Sequence, residues 1–73
     1  MPGKNIHVVP TTNGWAVEAE GGGGQQQYAS QEDAITAGTE RAKREQVELL
    51  IHGRDGQIRE RNSFGHDPRN IKG

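Results

Sequence analysis

Gln31 to Glu45 is the one stretch with a helical period, and the stripe it offers for burial is built of small residues: Ala34, Ile35, Gly38 and Ala42. A helix of this kind can lie close against a sheet, with Ile35 as its main anchor. Ser30 precedes it as an N-cap, and Glu32 and Asp33 occupy the first turn, where the helix dipole favours acids. Asp33 stands where a capping box would place Glu or Gln. Glu40, Arg41, Lys43 and Arg44 fall on or beside the exposed side.

The remainder reads as strands and turns. Ile6 to Pro10 is β-branched and ends at a proline, which cannot donate to a ladder. Asn13-Gly14 suits a tight hairpin, and Trp15 to Glu20 alternates, with Trp15, Val17 and Ala19 on one side. Four glycines, Gly21 to Gly24, and then Gln25 to Gln27 suggest a hairpin tip. A phosphate-binding loop would need spaced glycines or a following Lys and Ser/Thr at a helix start. Gln26 to Ala29 is a weaker third strand. Val47 to His52 is the strongest strand, with Val47, Leu49 and Ile51 on one face and Leu50 and His52 on the other. Gly53 to Gly56 is a turn with Gly56 in a left-handed position. Gln57 to Ser63 is the last strand, with Ile58 facing one way and Gln57, Arg59 and Arg61 the other.

These elements predict an α+β fold: a twisted antiparallel sheet of four or five strands packed on one helix, in the order β-β-(β)-α-β-β. One domain spans 1–64, and 65–73 reads as an extended or disordered C-terminal tail. Trp15, Ile35, Leu49, Ile51 and Ile58 are the expected core. A chain this short buries only about 60% of its unfolded surface. It contains no cysteine, so disulfides cannot compensate, and homo-oligomerisation, most simply a dimer, is the remaining reinforcement. No apolar run approaches the roughly 20 residues of a membrane span, and the start lacks a signal-peptide stretch. The expectation is therefore a cytoplasmic protein.

Nine basic against ten acidic residues give a net charge of −1, which argues against a bulk electrostatic nucleic-acid binder but leaves a local basic face open. His7, His52 and His66 raise a metal site. They lie on different segments without ligand spacing, and hydrogen-bonded strand histidines are the plainer reading. His52, Asp55 and Ser63 can be drawn as a triad, yet a domain this small has little room for a cleft and an oxyanion hole. Neither catalysis, a cofactor nor a small-molecule substrate is expected. Arg54, Arg59 and Arg61, joined by Lys43 and Arg44, are the candidate nucleic-acid-binding set, for DNA or RNA. The plainer reading of the same arginines is a charged edge strand that resists aggregation. The alternative function is a protein-interaction or homo-oligomerisation module.

The most specific segment is the run from Ile51 through His52-Gly53-Arg54-Asp55-Gly56-Gln57-Ile58-Arg59 to Gly65, followed by Asp67-Pro68, and His7 to Pro10, Asn13 to Val17 and Ala34 to Ala42 stand beside it. Together they resemble the small bacterial proteins of the domain of unknown function 2188 family. Members typically carry a shorter, more charged segment in place of Gly21 to Gln27. The resemblance implies a bacterial source and a stand-alone module, and it carries no mechanism.

Overall fold

The computed structural model describes residues 4–21 and 24–64. The expected tail, and His66 with it, lies outside them, as do Gly22 and Gly23. Five strands and one helix follow in order: β1 (Ile6–Thr11), β2 (Gly14–Ala19), β3 (Gln25–Tyr28), α1 (Gln31–Glu45), β4 (Glu48–His52) and β5 (Ile58–Ser63). They form one sheet of order β3-β2-β1-β4-β5 with the helix across one face. No described helix is long and apolar enough to cross a membrane.

The α+β class and the single helix agree with the expectation, and the sheet is mixed. β1–β2, β2–β3 and β4–β5 are antiparallel, while β1 and β4 are parallel. The cause is parity. With β3 present, three alternating strands leave the chain at the far end of the sheet, and the helix brings it back. The next strand then starts at the same end as β1, so pairing the two makes them parallel.

Helix ends follow the chain's own signals. The Ser30 hydroxyl accepts from the Asp33 N–H at 3.1 Å, and Lys43 and Arg44 sit in the last turn, where cations are favoured. Gln46 closes the helix in the left-handed conformation at φ 57°, its N–H reaching back to Ala42. The first hairpin departs from expectation. Thr11 pairs with Gly14, so the two-residue turn is Thr12-Asn13, and Gly14 is already in β2. Gly14 matters for another reason. Its φ is +150°, and a Cβ there would lie 2.5 Å from the Tyr28 carbonyl oxygen. Gly56 does adopt the left-handed position, at φ 88°.

The core lies between helix and sheet: Ile6, Val8, Trp15, Val17, Leu49 and Ile51 from the strands, Ala34 and Ala42 from the helix, and Val47 at the entry to β4. Ile35 is only partly buried and packs at the rim. The closest approach is at Gly38, where a Cβ would stand 3.0 Å from Leu49 Cδ1 and 3.2 Å from Val8 Cγ2. Ile58 contradicts its expected place in the core, since it is 49% exposed. The ladder explains why. Leu50 pairs with Arg61 and Ile51 with Glu60, but His52 pairs with Ile58, so Arg59 is an extra residue in a bulge. The bulge breaks the alternation, puts Ile58 on the same face as Arg61, and takes Arg59 out of that row.

Leu49→Ala should lower stability by about 2–5 kcal/mol, read by denaturant unfolding, because its side chain is fully buried. Gly38→Val should cost at the upper end of roughly 1–3 kcal/mol, since its methyls must displace Leu49 and Val8. Unchanged stability in either variant would show that the helix does not sit where the core places it.

Candidate functional site

Among the described residues, no helix lies over the sheet's second face. Alternation along the strands fixes its residues: Glu18 and Ala16 from β2, His7, Val9 and Thr11 from β1, Glu48, Leu50 and His52 from β4, Arg61 and Ile58 from β5. Gln25 and Gln27 extend it onto β3. Leu50 is only 6% exposed and Ala16 is buried, so neighbouring side chains already cover the middle of this face.

Four polar groups run across that middle. The His7 ring lies between Glu20 and His52: His7 Nε2 is 2.9 Å from Glu20 Oε2, and His7 Nδ1 is 2.9 Å from His52 Nε2. His52 Nδ1 reaches the Gly56 carbonyl at 3.0 Å, which ties the β4–β5 turn to the face. The hydrogen bond from His7 holds the Glu20 carboxyl below its usual range. A shallow depression of about 600 Å³ opens beside them, bordered by Glu18, Glu20, Gln25 and both histidines. All four ring nitrogens are engaged. Among the described residues, no three His, Asp or Glu side chains are arranged to hold a metal ion.

The triad that can be drawn from His52, Asp55 and Ser63 is not assembled. His52 is occupied as above, Asp55 accepts from Gln57 N–H and Arg59, and Ser63 donates to Glu48. Ser63 and His52 stand at opposite ends of the β4–β5 ladder.

The five basic residues are divided. Arg54 stacks over the Trp15 ring, 4.8 Å from its centroid, and donates to the Thr11 carbonyl. Arg59 folds back across Gly53 and meets Asp55 at 3.3 Å. Arg61 is on the uncovered face, 4.0 Å from Glu48. Lys43 and Arg44 belong to the last turn of the helix, on the other layer, and Lys43 lies over the Phe64 ring. Phe64 follows Ser63, so this pair sits at the end of the sheet away from Arg54 and Arg59. Arg59 and Arg61 do not share a face, because the bulge intervenes.

The sequence groups His7 and His52 only as possible metal ligands, with His66, and does not show their contact. The signal was the parity of the strands: once β4 runs parallel to β1, the register Val8 to Ile51 brings the next residue, Val9, level with His52, one pleat from His7. No curated protein and no solved structure matches this chain. The profile of one family matches residues 6–64, the whole of the described sheet and helix. The chain therefore belongs to the DUF2188 family, described as uncharacterized protein conserved in bacteria.

Proposed function

We propose that this domain is a non-catalytic association module of the bacterial cytoplasm that closes on a second copy of itself through the uncovered face of its sheet. The observation that carries this reading is the charge and shape layout of two rows. One row reads Glu18, His7, Leu50, Arg61 across β2, β1, β4 and β5. The next carries Ala16, Val9, His52 and Ile58. A two-fold axis lying between β1 and β4, parallel to the strands, exchanges β2 with β5 and β1 with β4. It sets Glu18 over the partner's Arg61, and exposed Ile58 over the side chains that cover the buried Ala16 of the second copy. Each contact occurs twice, as an isologous interface requires. Two twisted sheets pack face to face in this aligned manner at about 30°.

One edge of the sheet, β5, carries charges that discourage self-pairing in some registers. In-register self-pairing of β5 strands about a perpendicular two-fold axis would centre on one residue. A register centred on Glu60 or on Arg61 would set that charge directly opposite its own copy, which is destabilising. The non-catalytic part rests on occupancy. The ring nitrogens of His7 and His52 and the Ser63 hydroxyl are all hydrogen-bonded within the domain. The nucleic-acid reading has less behind it, because the basic residues are split between two layers and two ends.

Size exclusion with light scattering at high micromolar concentration should give twice the chain mass of 8.0 kDa. Arg61→Glu should weaken the dimer about tenfold or more, since it replaces two exposed ion pairs, worth about 0.2–1 kcal/mol each, with repulsion. Adding Glu18→Lys should restore it. Ile58→Asp, at an exposed position, should also weaken it. A wild-type monomer, or a dimer indifferent to all three variants, rejects the reading. A monomer that binds DNA or RNA at low salt and loses that binding with Arg59→Ala/Arg61→Ala would establish the arginine reading in its place.

A further inference from the structure

The line from Glu20 to Gly56 constrains how many protons the two imidazoles can carry. Its ends only accept: an ionised carboxylate at one end, a backbone carbonyl at the other. Between them are three contacts of 2.9, 2.9 and 3.0 Å. Three hydrogen bonds need three N–H groups. Two neutral imidazoles supply two, so one contact would set lone pair against lone pair. Two imidazolium ions supply four, so His7 Nδ1–H would point at His52 Nε2–H. Only one imidazolium beside one neutral ring satisfies the line.

We propose that His7 and His52 are a proton-sharing pair whose hydrogen-bonded line closes with one shared positive charge and is forced apart by a second proton, making the uncovered face acid-sensitive. On this face carboxylates outnumber cations around the pair. Glu18 and Glu20 come from the β2 side and Glu48 from β4 on the same face, against Arg61 from β5. Arg54 and Asp55 of the adjoining turn are turned to Trp15 and to Arg59. The helix contributes only the Gln31 amide, which donates to the His52 carbonyl, and β3 only Gln25. The Glu20 carboxyl is held below its usual range by the His7 bond, which favours its acceptor form. That proton breaks the His7–His52 contact, which joins β1 to the β4–β5 turn.

A consequence rests on the self-association reading. His7, Leu50, Val9 and His52 line the two-fold seam, so the second proton would gather four imidazolium groups there and separate the copies. The proton count itself does not depend on association.

The test is long-range proton–nitrogen NMR of the imidazoles, on protein dilute enough to be monomeric. The titration should run from about pH 4 to about pH 9, around the usual imidazole range near 6.5. The expected result is two steps at least about one pH unit apart, the mark of coupled sites, with three N–H groups per pair on the plateau. His52→Gln should leave His7 titrating in a single step. Two rings that titrate in one common step, or a His7 curve unchanged by His52→Gln, overturns the pair. Light scattering over the same range is the second arm. Two NMR steps with a monomer at every pH keep the pair and reject the dimer. A dimer with a single NMR step does the reverse. With both intact, dissociation should coincide with the lower step.

Discussion

The missing side chain at Gly38 sets the depth at which this fold closes. With nothing beyond its Cα, the helix comes down until Leu49 and Val8 fill the space a methyl would take. Ala34 and Ala42, both fully buried, continue that close seam along the helix. The arrangement suits a chain with few large apolar residues, because a short distance between layers lets a small set of side chains exclude water. It also explains why Ile35, the one large residue on the stripe, packs at the rim. A helix held this low leaves no room for a bulky side chain beneath its axis.

How much of this could be read from the residues depended on what each signal requires. The helix was legible to its ends, because Ser30, the acidic first turn and the small-residue stripe are local and agree with one another. The strands were legible to within a residue or so, because alternation and β-branching are local too. The direction of β4 was not. It turned on whether Gln25 to Tyr28 forms a strand, and three glutamines say little about that, since β3 is held by pairing with β2 rather than by burial. The bulge at Arg59 was equally hidden. Alternation alone put Ile58 in the core and aligned Arg59 with Arg61. The ladder takes one extra residue at His52, and every inference about faces beyond that point reverses.

These two non-local features account for the change in the candidate site. The arginines formed a patch only if β5 alternated regularly and the helix ended near its turn. Neither holds, and each arginine of the hairpin instead has a partner: a ring for Arg54, a carboxylate for Arg59 and, more distantly, one for Arg61. Conversely, parallel pairing of β1 with β4 brought His7 and His52 together from segments 45 positions apart. The expectation that these histidines are hydrogen-bonded strand residues holds, though their partner was not foreseeable from spacing.

The two faces of the sheet therefore do different physical work. On the helix side the contacts are apolar and close, so that side has one arrangement and carries the stability. On the other side the apolar groups are few and Leu50 is already covered, so burial alone would bind a second copy weakly. What remains there is polar and arranged in order: acid on β2, base on β5, and a hydrogen-bonded pair of imidazoles between them. Such a surface gives specificity more readily than affinity. An association resting on it would be reversible and would respond to small changes in charge. A line of hydrogen bonds that closes at one proton count and no other is a means of making such a change, and its place between the acidic and basic margins is where a single added charge would be felt by both.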